Sequence, residues 1–144
     1  METGLLHLHN ILRWAIVLLL LVTFFQALAK KPGMQKTSLF LMISAHLTLV
    51  LGLYQWIAGR YGLIKGLPEG VELMKDSFYR FYWIEHPVAM LVAIVLITVA
   101  RKRAKTLAYG KVTMLLLLAL VLIAAAVPWP FRVESVARPL FPGM

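Results

Sequence analysis

Four apolar stretches divide the chain, and short polar segments separate them. The stretches cover about residues 8–29, 38–59, 79–100 and 112–128. A helix needs about 20 mostly apolar residues to cross roughly 30 Å of hydrocarbon, and each stretch meets or approaches that length. The pattern therefore predicts an all-α integral membrane four-helix bundle that occupies residues 1–144 as a single transmembrane domain.

The charged residues are distributed unevenly between the two ends of this bundle. The connections at one end contain only basic residues, namely Lys30, Lys31, Lys36, Arg101, Lys102, Arg103, Lys105 and Lys111. All 6 acidic residues lie toward the other end, together with Arg13, Arg60, Lys65, Lys75, Arg80, Arg132 and Arg138. Because short loops rich in Lys and Arg stay in the cytoplasm, we expect both basic loops to be cytoplasmic, with the N and C termini outside.

This distribution accounts for the formal net charge of +9 without a nucleic-acid partner, so the expected partner is the lipid bilayer. The chain contains no cysteine. That excludes disulfides, thiolate metal sites and covalent haem attachment. Any cofactor has to be bound through nitrogen, oxygen or thioether ligands.

Three local features refine the helix prediction. Thr37 or Ser38 can cap the second helix, since hydroxyl side chains are favoured at that position. Pro87 falls within the third helix, where it removes a backbone hydrogen bond to the carbonyl of Trp83 and predicts a kink. Residues 69–75, in the connection between the second and third helices, are a candidate short interfacial helix.

All 4 histidines fall in the first three predicted helices. Depth can be counted at about 1.5 Å per residue from the basic residue that precedes or follows each helix. His46 then lies about 15 Å from Lys36, and His86 lies about 22 Å from Arg101. His9 lies about 31 Å deep counted from Lys30, and His7 lies beyond it. Ionisable groups within hydrocarbon are costly, so they are functional candidates. This estimate favours His46 and His86 as a pair that flanks a planar cofactor.

A haem with two imidazole ligands would use such buried histidines, and His9 is a third candidate ligand that pairs with His86 if the helices are staggered differently. Arg13 and Arg80 are candidate partners for the negatively charged haem propionates. Glu85 is expected to pair with Arg13. A zinc or copper site formed by His9, His46 and His86 remains an alternative, because imidazole suits both metals. Histidines that only bond to neighbouring helices are the other alternative.

Four segments of the sequence resemble a known family: LHLHNILRW at 6–14, ISAHLTLVLGLY at 43–54, IEHPVAMLVAIVLITV at 84–99 and VPWPFRVESVARPLF at 127–141. They are similar to small four-helix membrane proteins labelled "cytochrome B", which are common in Bacteroidetes. The resemblance implies a b-type haem protein of the bacterial inner membrane. It places His46 and His86 at the histidine positions of helices two and three, and His9 at that of helix one.

These observations lead to one functional expectation and two alternatives. The expected function is the transfer of single electrons by a non-covalent haem b, with the quinone pool or a larger respiratory complex as partner. One alternative is an accessory or assembly subunit of a larger membrane complex, with structural histidines. The other is a histidine-based metal-binding membrane protein. No catalytic residue is identified, and an electron carrier or subunit is favoured over a stand-alone enzyme.

Overall fold

The computed structural model describes residues 2–141, and its regular structure there is entirely helical. The helices are α1 (Glu2–Leu28), α2 (Met34–Ala58), α3 (Ser77–Arg80), α4 (His86–Lys105) and α5 (Tyr109–Ala126). A π-helical turn, Phe81–Glu85, joins α3 to α4 without a break, and a 3₁₀ turn, Leu63–Lys65, follows α2. Four helical segments are long and apolar enough to cross a membrane, as predicted.

The structure corrects the start of the second helix. α2 begins at Met34, whose side chain is fully buried, and no side chain caps its first turn. Thr37 instead donates a hydrogen bond to the side-chain oxygen of Gln26 on α1 at 2.7 Å. Ser38 donates to the carbonyl of Gln35 at 3.1 Å. Burial of Met34 extends the helix by one turn, so the predicted capping role of Thr37 or Ser38 is wrong.

The four long helices form a ring in which each packs against two neighbours. α1 packs mainly against α2 and α5, and α4 packs mainly against the same two helices. α1 and α4 therefore face each other across the diagonal of the bundle. Four-helix bundles commonly hold cofactors between side chains on facing helices.

Buried side chains recur every three or four residues along each long helix, which is the spacing of a single helical face. They are Ile16, Leu20, Thr23 and Ala27 on α1; Met34, Ser38, Leu41 and Ala45 on α2; Ala93, Ile97, Ala100 and Ala104 on α4; and Val112, Leu116, Ala119, Ile123 and Ala126 on α5. The many alanines allow the helix backbones to approach closely, which is how helices associate within membranes.

Hydrogen bonds connect the start of α2 to the end of α4 at one end of the bundle, which we call the basic end. The Arg101 guanidinium donates to the carbonyl of Gln35 at 2.7 Å, and the Gln35 side chain donates to the carbonyl of Lys105 at 3.1 Å. At the opposite end, which we call the aromatic end, rings pack against one another in series. They are Trp14, Tyr61, Phe78, Tyr79, Phe81, Tyr82, Trp83, Trp129, Phe131 and Phe141.

The irregularity predicted at Pro87 takes the form of the π-helical turn Phe81–Glu85 directly before it. Proline has no N–H to donate to the carbonyl of Trp83, four residues earlier. That carbonyl instead accepts a hydrogen bond from the Trp56 indole on α2 at 3.1 Å. The Trp83 indole in turn donates to the carbonyl of Tyr61 at 2.7 Å. Cross-helix bonds thus satisfy the backbone that the proline leaves unpaired.

The predicted interfacial helix at 69–75 is wrong. These residues form turns, and Gly70 adopts a φ of 79°, which ends any helical run. Lys75 and Glu72 form an exposed ion pair at 2.7 Å.

The segment after α5 folds back over the aromatic end. Both the Arg13 guanidinium and the Trp14 indole donate to the carbonyl of Leu140, each at 2.7 Å. The Tyr82 hydroxyl donates to the carbonyl of Val136 at 2.8 Å. The tail therefore covers the ends of α1 and α3 and of the π-helical turn.

Candidate functional site

Two histidines meet inside the aromatic half of the bundle. His9 comes from α1 and His86 is the first residue of α4, so they approach from diagonally opposite helices. Their ring centres are 6.4 Å apart, with an angle of 62° between the ring planes. The structure thus brings together one of the two histidine pairings that the sequence left open.

The His86 imidazole is held in place by the backbone of α5. Its Nδ1 lies 2.7 Å from the carbonyl oxygen of Ala126. Because a carbonyl can only accept, Nδ1 carries the proton and donates it, which leaves Nε2 with a free lone pair in the neutral ring. The same arrangement orients many metal-binding histidines. Phe81, which is buried, packs against the His86 ring with centres 5.8 Å apart.

The His9 imidazole lies against α2 at Gly52. A Cβ atom at position 52 would be 3.4 Å from Cε1 of His9 and 4.0 Å from its Nδ1, so only a small residue leaves room for the ring. Gly52 follows Ser44 and Thr48 at four-residue spacing on α2, a pattern of small residues that is typical of close helix packing. Its proximity to His9 could not be read from that spacing.

Three polar atoms near this pair are buried without a hydrogen-bond partner. They are Nδ1 of His9, Oδ1 of Asn10 and Nε of Arg13. All three belong to one turn of α1. Buried polar groups in folded proteins are nearly always hydrogen-bonded, and each exception needs an explanation such as an absent ligand or water.

The two arginines predicted to bind propionates have different surroundings. Arg13 lies over the rings of Trp14 and Trp129, with its Cζ 5.2 and 5.9 Å from their centres, and its Nε has no partner. Arg80 is already engaged, since its Nε contacts Glu85 at 2.9 Å and its Nη1 donates to the carbonyl of Met74. The expected pairing of Glu85 with Arg13 is therefore wrong, because Arg80 lies closer to Glu85 on the same helical segment.

Sequence reasoning missed a cation beside the histidine pair. The Arg132 guanidinium lies over the ring of Phe81, 4.9 Å from its centre, and also donates to the carbonyl of Ala125. Phe81 is the residue that packs on His86. The only sequence signal is the position of Arg132 just after Pro128 and Pro130, which turn the chain back over the bundle.

His46 lies apart from the other two histidines. Its side chain is exposed on the outer face of α2, and its Nδ1 donates to the carbonyl of Met42 at 2.8 Å. Within residues 2–141, no three histidine, aspartate or glutamate side chains come close enough to hold a metal ion together. The structure therefore does not form the predicted pair of His46 with His86, nor a three-histidine site.

The depth estimate failed because of the reference point chosen for the third helix. α4 continues to Lys105, four residues beyond Arg101. Counting from Lys105 adds about 6 Å to the depth of His86. This brings His86 close to the level of His9, on a helix that faces α1.

No protein-family model, no curated protein and no solved structure matches this chain.

Proposed function

We propose that this protein is a membrane-bound b-type haem protein that transfers single electrons, and that His9 and His86 would hold the haem iron. The observation that carries the proposal is the distance of 6.4 Å between the two ring centres. A bond from a metal ion to an imidazole nitrogen is about 2 Å long, so two rings on opposite sides of one ion have centres about 6 Å apart. The separation of 6.4 Å agrees with this value.

The donor set also fits haem. A porphyrin supplies four of the six iron ligands, so the protein has to supply two, and two imidazoles are a common choice. α1 and α4 face each other diagonally, so their histidines can bind from opposite sides of one planar group. Haem bound there would supply reversible one-electron oxidation and reduction of its iron.

The protein's own residues have separate tasks at this site. Ala126 fixes the ring orientation of His86 and leaves Nε2 available for the metal. Gly52 provides the space that the His9 ring occupies. Arg13, whose Nε has no acceptor, is the better candidate than Arg80 for binding a propionate. The indole rings of Trp14 and Trp129, together with the tail that Trp14 binds at Leu140, would limit the access of water from the aromatic end.

The proposed orientation places both basic loops in the cytoplasm and the histidine pair near the outer face of a bacterial inner membrane. Electrons would then pass between the site and a partner on that side, either the quinone pool or a larger respiratory complex. Reporter fusions test this orientation. Fusions after Lys31 and Arg103 should be cytoplasmic, and a fusion after Glu69 should be periplasmic. The opposite pattern would reverse the proposed orientation.

Visible spectroscopy tests the haem itself. The protein is expressed with ample haem, purified in mild detergent, and measured oxidised and after reduction with dithionite. We expect sharp reduced α and Soret bands from the wild type. His9→Ala and His86→Ala should each lose them while far-ultraviolet circular dichroism shows intact helices. His46→Ala is the matched control and should retain the bands, because His46 lies on the outer face of α2.

Two results would contradict the proposal. A featureless spectrum from folded, haem-supplied protein would remove haem from the assignment, and elemental analysis would then distinguish a zinc or copper site from an accessory subunit with structural histidines. Loss of the bands in His46→Ala, with retention in His9→Ala, would assign the ligands to a different pair.

A further inference from the structure

We propose that a cleft at the basic end, between α2 and α4, binds the phosphate group of an anionic phospholipid. The cleft has a volume of about 310 Å³ and is lined by Gln35, Lys36, Leu39, Arg101 and Lys105. Pockets for small ligands begin at about this size. This site is far from the histidine pair and is independent of the haem proposal.

The wall of the cleft is fixed by hydrogen bonds between the two helices. Arg101 donates through Nη1 to the carbonyl of Gln35 at 2.7 Å. The Gln35 side chain donates to the carbonyl of Lys105 at 3.1 Å. These two bonds join the first turn of α2 to the last turns of α4. The guanidinium is therefore held in one orientation before any ligand arrives.

One donor in this wall has no acceptor. Nε of Arg101 is buried and makes no hydrogen bond, although Nη1 of the same guanidinium is bonded. A buried, unpaired donor on a cation is costly, and a phosphate oxygen is the acceptor that suits a guanidinium best. Lys36 and Lys105 are exposed cations in the same wall, and they can contact further phosphate oxygens.

The surrounding charge favours an anion over any other ligand. The two loops at this end, together with the helix ends that they join, contain 8 of the 15 basic residues and no acidic residue. Among residues 2–141, the structure shows ion pairs between Lys75 and Glu72 and between Arg80 and Glu85. Both pairs lie toward the aromatic end and not at the basic end. The charge of the cleft is thus left uncompensated by the protein.

The position of the cleft favours a lipid over free phosphate. Arg101 and Lys105 lie at the end of a helical segment that is long and apolar enough to cross a membrane. A bilayer around the bundle would have its headgroups at such a helix end. Leu39 lines the cleft one turn further into the bundle, and Phe40 and Ile43 beyond it are exposed on α2. A phosphodiester at Arg101 would therefore place its acyl chains along an apolar helix face. Basic pockets between transmembrane helices are known to bind anionic headgroups.

Native mass spectrometry of the full-length protein tests the proposal. The protein is exchanged into detergent with equal amounts of phosphatidylglycerol and phosphatidylcholine, and bound lipid is counted as mass adducts. We expect preferential retention of phosphatidylglycerol by the wild type. Arg101→Gln should weaken retention at least about tenfold, because it removes charge-assisted hydrogen bonds to the phosphate in addition to one positive charge. Lys102→Gln is the matched control, since it removes the same charge from the next residue outside the cleft.

Further arms make each outcome decisive. If Arg101→Gln does not fold, Lys36→Gln and Lys105→Gln replace it, because both side chains are exposed and should each weaken retention more than Lys102→Gln does. Equal losses in Lys102→Gln and the cleft variants would mean diffuse attraction and overturn the site. Equal retention of phosphatidylcholine would do the same. Displacement of the lipid by millimolar inorganic phosphate would identify free phosphate as the ligand and overturn the assignment to a lipid.

Discussion

The two halves of the bundle differ in whether their buried polar groups have hydrogen-bond partners. In the half toward the basic end, the helices pack through small residues, and Ala27, Ala45, Ala104 and Ala119 are at most 2% exposed. The buried hydroxyl of Thr23 donates to the carbonyl of Leu19 on its own helix. In the half toward the aromatic end, one turn of α1 leaves three buried polar atoms unpaired.

We use this difference to distinguish residues that hold the helices together from residues of the proposed haem site. Unpaired buried groups lower stability, so a protein retains them where they bind something. Arg101 is the exception at the basic end, and it too lines a cleft. The comparison predicts that equivalent substitutions change haem affinity and stability differently in the two halves. In one case the changes in stability have opposite signs.

The largest effect is expected from filling the space beside His9. Gly52→Leu would place atoms where the imidazole lies, since even a Cβ there is 3.4 Å from Cε1 of His9. Displacing this proposed haem ligand should lower haem affinity about 10- to 100-fold. Haem titration followed by the Soret band measures it. Gly110→Leu is the control, because a Cβ at Gly110 meets no atom within 4 Å. Equal haem loss in both variants would disprove the role of Gly52.

Larger side chains at buried alanines should destabilise the half of the bundle toward the basic end. Ala119→Leu adds three carbon atoms at a fully buried position of α5 and should destabilise the protein by about 1–3 kcal/mol. Ala124→Leu adds the same atoms at an exposed position of the same helix and should change stability by less than about 0.5 kcal/mol. Thermal unfolding in detergent, followed by circular dichroism, compares them. Similar melting temperatures for the two variants would show that the alanines do not set the helix spacing.

Removing a buried polar group should change the stability of the haem-free protein in opposite directions in the two halves. His9→Leu eliminates a buried unpaired nitrogen and should stabilise the haem-free protein by about 1–2 kcal/mol. Thr23→Val loses a satisfied hydrogen bond and should destabilise it by about 0.5–1 kcal/mol. Urea unfolding of protein made without haem measures both. Stabilisation by Thr23→Val together with destabilisation by His9→Leu would refute the proposed division of the bundle.

The fold could be predicted from the sequence because hydrocarbon imposes a length and a polarity on each helix. The apolar stretches therefore gave four helices, and the missing N–H of Pro87 identified the carbonyl of Trp83 that needs another donor. The donor, Trp56, could not be identified, because nothing in the sequence fixes the relative rotation of two neighbouring helices.

The site depended on stagger and rotation, which the sequence specifies only weakly. His9 and His86 were both candidates, but their common level follows from how far α4 extends past Arg101. His46 was favoured for its depth alone, and depth does not tell on which face of a helix a residue lies. Ala126 contributes a backbone carbonyl, which every residue has, and Gly52 contributes only space. Neither contribution can be recognised from the residue type in a sequence.

The last expected effect concerns the π-helical turn that carries His86. Trp56→Phe removes the donor to the carbonyl of Trp83 and should destabilise the protein by about 1 kcal/mol. Tyr54→Phe, an exposed aromatic two residues earlier, is the control and should have an effect below about 0.5 kcal/mol.

A double-mutant cycle with Pro87→Ala shows whether the two features depend on each other. Alanine at position 87 regains an N–H that can bond to the Trp83 carbonyl, so Trp56→Phe should cost less in that background. We expect a coupling energy of about 0.5–1 kcal/mol, measured by thermal unfolding of the four proteins. Additive effects would mean that the indole of Trp56 contributes packing alone. Another group would then satisfy the carbonyl of Trp83. The stability of the π-helical turn before His86 would not depend on a hydrogen bond from α2.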